Sequence, residues 1–152
     1  MTDYQSGTIN FINCTFTNNT GSALVMGYNS NYNIVNSNFY NNTGQQGGAI
    51  NNNNGHFNNT NTTFIGNNAS SDGSAIHISG AVDTNIISSY FYNNTAKSGV
   101  GGTIFSNAGN IHVTRSDFVN NTDMGDGGAI GLDGCNVVLN YNRFYNNNAT
   151  ST

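Results

Sequence analysis

A short recurring unit decides the fold of this chain, and residues 37–50 show it complete: SNFYNNTGQQGGAI. Its first half is a phenylalanine followed three residues later by an asparagine. This Phe-x-x-Asn motif occurs six times, at Phe16/Asn19, Phe39/Asn42, Phe64/Asn67, Phe91/Asn94, Phe118/Asn121 and Phe144/Asn147. The intervals between these phenylalanines are 23, 25, 27, 27 and 26 residues. A fixed period of a few tens of residues is typical of repeat architectures.

The second half of the unit is a glycine block of the form Gly-(Gly/Ser)-(Ala/Thr)-(Ile/Leu). It occurs five times, at Gly21–Leu24, Gly47–Ile50, Gly73–Ile76, Gly101–Ile104 and Gly127–Ile130. The third residue of each block precedes the next phenylalanine by 15 or 16 residues, whereas the distance from a phenylalanine to the third residue of the next block varies from 7 to 12. The segment between Phe-x-x-Asn and the glycine block is therefore predicted to be a variable loop.

Within the constant part of each unit, apolar residues alternate with polar ones in three short bursts, such as Ile76-x-Ile78 and Ile111-x-Val113. Such alternation predicts β-strands, and each burst is too short to form a helix. Three short strands per unit stack well as one coil of a parallel β-helix. We therefore predict an all-β solenoid of five to six coils with 23–27 residues each, forming one domain over residues 1–152 that is an excerpt of a longer array.

The repeat register also predicts the role of single positions. The second residue after each phenylalanine is Asn or Gly, the residues that most easily adopt a positive φ, so a bend is expected there. The asparagine that follows is expected to point inward and to hydrogen-bond along the stack. Small residues two positions before each phenylalanine, such as Cys14 and Ser37, are expected inside.

Together, the Phe-x-x-Asn and Gly-Gly-Ala-Ile motifs resemble the repeats of chlamydial polymorphic membrane proteins and of adhesin-like surface proteins of methanogenic archaea. The resemblance covers residues 9–148. It implies a right-handed β-helix that is displayed outside the cell and serves attachment. The start of the chain is neither basic nor apolar, so no signal peptide is predicted, and no segment resembles a membrane anchor.

Composition narrows the classes of partner. The chain has 33 Asn, 16 Thr and no Glu, only 7% charged residues and a net charge of −4. Three strong cations, Lys97, Arg115 and Arg143, cannot form a basic patch, which argues against nucleic acid and against anionic membranes. No apolar run is long enough to span a bilayer. No cofactor is expected.

Four tyrosines are the candidate binding residues. The position after each phenylalanine should point outward, and it holds Tyr40, Tyr92 and Tyr145, with Tyr90 nearby. Tyrosines on a rigid polar face can stack on sugar rings or anchor a protein partner. The alternative is that these bulky residues only shield the strand.

An enzyme is the competing class, either a pectin-lyase-like protein or a glycoside hydrolase. Asp72 and Asp126 take equivalent places two coils apart, roughly 9–10 Å at strand spacing, which fits only an inverting carboxylate pair. Asp-Gly is also common in turns. Residues 123–127 are only a weak calcium motif, because they offer fewer ligands than a Ca²⁺ site needs, and turn chemistry explains them as well. The histidines, His56, His77 and His112, share no position in the repeat, so neither a metal site nor a catalytic residue is predicted.

The function indicated is a non-enzymatic, secreted or cell-surface adhesin-like segment that binds glycans or surface proteins of another cell. Ice binding is a minor alternative, because aligned pairs such as Asn13/Thr15 extend over three coils before becoming irregular. The chain offers no cap for its terminal coils, so end-to-end self-association is also expected. Nine Asn-x-Ser/Thr sequons are present, but the sequence does not decide whether they are glycosylated.

Cys14 and Cys135 are predicted to be free thiols. Four to five coils, or roughly 19–24 Å, separate them at strand spacing, which is too far for a disulfide. We expect Cys14 to be buried and Cys135 to be more accessible.

Overall fold

The computed structural model describes residues 7–80, 82–97 and 99–150 of the chain. These residues contain strands and no helices, and they form a parallel β-solenoid of about five turns with about 26 residues per turn, as predicted. The strands in chain order are β1 (Thr8–Ile12), β2 (Thr15–Thr17), β3 (Leu24–Met26), β4 (Asn31–Val35), β5 (Asn38–Tyr40), β6 (Thr43–Gly44), β7 (Ile50–Asn53), β8 (His56–Thr60), β9 (Thr63–Ile65), β10 (Asn68–Ala69), β11 (Ile76–Ser79), β12 (Asp83–Ile87), β13 (Tyr90–Tyr92), β14 (Thr95–Ala96), β15 (Ile104–Ser106), β16 (Asn110–Thr114), β17 (Asp117–Val119), β18 (Thr122–Asp123), β19 (Ile130–Leu132), β20 (Asn136–Asn140), β21 (Arg143–Tyr145) and β22 (Asn148–Ala149).

The strands form four parallel sheets, and each full coil contributes one strand to each of them. Sheet 1 contains β1, β4, β8, β12, β16 and β20, and sheet 2 contains β2, β5, β9, β13, β17 and β21. Sheet 3 contains β6, β10, β14, β18 and β22, and sheet 4 contains β3, β7, β11, β15 and β19. The prediction of three strands per unit was therefore one short. The strands of sheet 3 have two residues each, too few for an alternating pattern to be read.

The phenylalanines of the repeat form a continuous stack in the interior, as predicted. Neighbouring rings from Phe16 to Phe144 lie 4.6–5.0 Å apart, with interplanar angles of 1–13°. The four central rings are fully buried. The ring spacing equals the strand spacing, which lets the rings of successive coils stack. Each stacked pair adds about 0.5–1.5 kcal/mol beyond the burial of its surface.

Two series of bends with positive φ turn the chain from sheet to sheet. The predicted series, two residues after each phenylalanine, is confirmed with φ of 52–66° at Asn18, Asn41, Gly66, Asn93, Asn120 and Asn146. The sequence did not predict a second series, between sheet 1 and sheet 2, which we call the corner positions. It has φ of 49–55° at Asn13, Asn36, Asn61, Ser88, Arg115 and Tyr141. Serine, arginine and tyrosine have no preference for this conformation, so the pattern was not visible in the sequence.

The inward asparagines form the predicted ladder. Each side chain from Asn19 to Asn121 donates to Oδ1 of the next asparagine in the series, at 2.8–3.0 Å. Four residues two positions before a phenylalanine are buried, Ser37, Thr62, Ser89 and Ser116. Several of their hydroxyls accept a backbone N–H from the preceding coil, as Ser116 does from Ser89 at 3.1 Å.

Both cysteines are free, as predicted, but the prediction that Cys14 is buried was wrong. Cys14 and Cys135 are both partly exposed. Within the described residues a neighbouring coil covers Cys14 from one side only, and its Sγ contacts the carbonyl of Ile12 at 3.4 Å. The handedness of the solenoid, the extent of the domain and end-to-end association stay predictions.

Candidate functional site

The outer face of sheet 2 carries the four tyrosines singled out from the sequence. Its strands align two outward series of residues in register. The first is Thr15, Asn38, Thr63, Tyr90, Asp117 and Arg143, and the second is Thr17, Tyr40, Ile65, Tyr92, Val119 and Tyr145. Tyr40, Tyr90 and Tyr92 are partly exposed, and Tyr145 is 58% exposed. We call this surface the tyrosine face.

The tyrosines are held in defined orientations. The rings of Tyr90 and Tyr92 lie parallel, with centroids 6.0 Å apart and an interplanar angle of 9°. The Tyr40 hydroxyl donates to Oδ1 of Asn38 at 3.0 Å. Tyr40 and Tyr92 lie two coils apart, about 10 Å at strand spacing. The structure thus places aromatic rings at several points along one surface of the solenoid.

An exposed ion pair lies at one end of the tyrosine face. Arg143 donates from Nε to Oδ1 of Asp117 at 3.2 Å and from Nη2 to Oδ2 at 2.9 Å. These hydrogen bonds, and secondly the charge of Asp117, raise the pKa of Arg143 above its ordinary value. Because both side chains are exposed, the pair contributes little to stability but occupies both carboxylate oxygens.

The outer face of sheet 1 carries ladders of exposed amides that the sequence reading missed. Side chains of Asn33, Asn58 and Asn85 each donate to Oδ1 of the residue one coil before, at 2.8–3.1 Å, and Asn10 begins the series. A parallel series joins Asp83, Asn110 and Asn136 at 2.7 and 3.0 Å. The signal was present as Asn at equivalent places in successive units. These amides make a flat polar surface beside the tyrosine face.

The structure does not support the carboxylate pair of the enzyme hypothesis. Oδ1 of Asp72 accepts hydrogen bonds from the backbone N–H of Val100 at 2.8 Å and of Gly101 at 3.2 Å, so this carboxylate anchors a loop. Asp126 is exposed and lines a shallow depression of about 300 Å³ together with Val100, Gly127, Ile130, Gly131 and Leu132. Asp126 is the sole ionisable group among these lining residues.

The candidate calcium motif also has a structural role. Asp123 is fully buried, and its carboxylate accepts the N–H of Gly125 at 2.9 Å and the N–H of Gly102. In the described part of the chain, no group of three or more His, Cys, Asp or Glu side chains is placed to hold a metal ion.

The three histidines lie apart from one another, as their places in the repeat indicate. His56 and His112 are exposed on sheet 1, whereas His77 is buried in β11 against the ring of Phe105 at 5.5 Å. Burial lowers the pKa of His77, and the nearby charge of Asp72 partly opposes this effect. Nδ1 of His77 has no hydrogen-bond partner.

Comparison with known families identifies one unit of this solenoid. Residues 61–79 match the Chlamydia polymorphic membrane protein repeat. The match runs from β9 to β11 and includes both Phe64-x-x-Asn67 and the glycine block Gly73–Ile76. The resemblance stated from the motifs is thus confirmed for this unit. No curated protein and no solved structure matches the chain. Among the described residues, no helix is long and apolar enough to cross a membrane.

Proposed function

We propose that this chain is a non-enzymatic, adhesin-like segment of a secreted or cell-surface protein, and that it binds glycans or surface proteins of another cell through its outer face and variable loops. The observation that carries the proposal is the alignment of Tyr40, Tyr92 and Tyr145 in one outward series, with Tyr90 stacked beside it. The matched repeat and the parallel solenoid are consistent with attachment at a cell surface.

The chemistry of the tyrosine face suits sugars. A tyrosine ring offers an apolar plane for the C–H face of a sugar and a hydroxyl for its polar rim, and two χ angles are all that binding must order. The neighbouring amides of sheet 1 offer donors and acceptors at the strand spacing. Each inner strand is hydrogen-bonded to a neighbouring strand on either side, which holds these groups in place. Binding therefore costs little conformational entropy.

The experiment is a glycan array combined with an assay of attachment to cells. We expect the triple variant Tyr40→Asn, Tyr92→Asn, Tyr145→Asn to lose at least tenfold in binding while its circular dichroism stays that of a β-solenoid. The matched control is Tyr28→Asn, which removes a tyrosine that is 62% exposed and lies outside the strands. Equal binding by the triple variant and the control would refute the role of the tyrosine face.

The enzyme hypothesis is tested on the same protein. Incubation with neutral and acidic polysaccharides, followed by measurement of new reducing ends and unsaturated products, should show no turnover above the blank. Turnover that Asp126→Asn abolishes would overturn the non-enzymatic proposal.

A further inference from the structure

The corner positions between sheet 1 and sheet 2 change in chemistry along the solenoid. The first three are asparagines, at Asn13, Asn36 and Asn61, and Nδ2 of Asn61 donates to Oδ1 of Asn36 at 2.8 Å. The last two are Arg115 and Tyr141, with φ of 51° and 55°. The backbone conformation is thus kept while the residue best suited to it is lost.

Arginine and tyrosine are unfavourable in this left-handed conformation because Cβ crowds the following carbonyl. The bend recurs at all six corner positions, so the packing of adjoining coils imposes it on Arg115 and Tyr141 as well. Both are exposed, Tyr141 to 89%, and in the parts of the chain that the structure describes neither the Arg115 guanidinium nor the Tyr141 hydroxyl has a hydrogen-bond or ion-pair partner. The guanidinium of Arg115 and the ring and hydroxyl of Tyr141 are therefore accessible to a ligand.

At this corner, one positively charged side chain has no negatively charged partner among the described residues. Arg115 and Tyr141 lie on adjacent coils, since the N–H of Arg115 donates to the carbonyl of Asn140 at 2.9 Å. The nearest outward series on sheet 2 supplies Asp117 and Arg143, which neutralise each other. Arg115 is therefore an unpaired positive charge at the same corner as the exposed Tyr141 of the adjacent coil, in a chain whose net charge is −4.

We propose that this corner binds an acidic sugar, with the guanidinium of Arg115 on the sugar carboxylate and the ring of Tyr141 against the sugar ring. This inference rests on the proposed function and names the glycan class and the site. The planar fork of arginine matches a carboxylate in two hydrogen bonds. A single unmatched cation suits one carboxylate per site and is too little for a polyphosphate chain, whose binding depends on many neutralised charges. The flat polar ladders around the corner also lack the buried apolar pocket that a protein hot spot needs.

The test measures binding by calorimetry or NMR titration with a glucuronic-acid oligosaccharide and with the corresponding glucose oligosaccharide. The variants are Arg115→Asn and Tyr141→Asn, each of which restores the residue of the first three coils. Both should fold normally and bind the acidic probe at least tenfold more weakly, with unchanged binding of the neutral probe. Lys97→Asn is the matched control, because it removes the same charge from an exposed residue that follows sheet 3. It should leave binding of the acidic probe unchanged.

Several results would overturn the inference. These are equal affinity for the two probes, no binding of the acidic probe, an equal loss in Arg115→Asn and Lys97→Asn, and binding of an aspartate-rich peptide as tightly as the acidic sugar. Binding of neutral glycans that depends on Tyr40 and Tyr92, without any preference for the acidic probe, would refute this site while leaving the proposed function intact. If the parent protein binds no glycan and does not attach to cells, the proposed function itself is refuted.

Discussion

Nδ2 of Asn67 donates a hydrogen bond to Oδ1 of Asn94 at 3.0 Å, although the two residues are 27 positions apart. The other proton of the Asn67 amide goes to the carbonyl of Phe39 at 3.0 Å, one coil back. Oδ1 of Asn94 also accepts the backbone N–H of Asn67 at 2.9 Å. Every donor and acceptor of these buried amides is thus used, and the aligned dipoles strengthen one another along the stack.

The central position of this ladder should therefore be intolerant of truncation. Asn94→Ala removes the Oδ1 acceptor of the backbone N–H and of the side-chain amide of Asn67. It also removes the hydrogen bonds from Nδ2 to the carbonyl of Phe64 and to Oδ1 of Asn121, all in a buried place. We expect the free energy of unfolding to fall by about 3 kcal/mol, measured by urea denaturation. The control Asn19→Ala changes an exposed member of the same ladder and should cost less than about 1 kcal/mol. Similar costs for the two variants would contradict this account of the ladder.

A different buried asparagine is a defect in the core. Asn59 takes the inward place that Ile34 and Ile86 hold on the adjoining strands of sheet 1. It is fully buried, and its Oδ1 has no partner, while its Nδ2 donates to Oγ of Ser89 at 2.9 Å. We expect Asn59→Val to stabilise the protein by about 1–2 kcal/mol in thermal or urea unfolding, because an unpaired buried acceptor is removed.

The outward neighbour on the same strand gives the matched control. Asn58 is exposed and its amide is paired with Asn33 and Asn85, so Asn58→Val should stabilise nothing. A lower stability of Asn59→Val would mean that the hydrogen bond to Ser89 outweighs the orphaned oxygen.

The period, the phenylalanine stack and the inward asparagines were predictable because each position repeats one residue type with one physical role. The corner positions were not, since Ser88, Arg115 and Tyr141 adopt a conformation that only the packing of adjoining coils imposes. The placement of Tyr40, Tyr90, Tyr92 and Tyr145 on one face followed from the same register. The roles of Asp72 and Asp123 did not, because their partners are backbone N–H groups of loops whose path the sequence does not specify.

His77 should make stability depend on pH. Burial lowers the pKa of folded His77 below the ordinary value of 6.5. Between these two values the unfolded chain binds more protons than the folded one, so stability falls as the pH drops below about 6.5 and levels off below the folded pKa. The slope of unfolding free energy against pH in this window should be smaller in His77→Phe than in the parent and unchanged in the exposed control His112→Asn. An identical slope in all three proteins would show that carboxylates alone set the acid response.

Relief of backbone strain should be measurable at the corner positions. Arg115→Asn and Tyr141→Asn should each raise the free energy of unfolding by about 0.5–1 kcal/mol, because Asn adopts a positive φ at lower cost. Arg115→Lys keeps the strain and the charge, and should leave stability near the parent value. If both asparagine variants are less stable than the parent, the exposed side chains make contacts that contribute to the fold.

Asp123 should hold the glycine-rich loop that precedes β15. It occupies a position of sheet 3 where the adjoining strands have Ala96 and Ala149, so Asp123→Ala fits the strand but orphans the N–H groups of Gly102 and Gly125. We expect these two amides to exchange hydrogen much faster, and global stability to fall by about 2 kcal/mol, because buried donors lose their acceptor. The control is Asp126→Ala, which removes an exposed carboxylate three residues away and should leave exchange at Gly102 unchanged. Unaltered protection of Gly102 in Asp123→Ala would show that the loop is held by its backbone contacts alone.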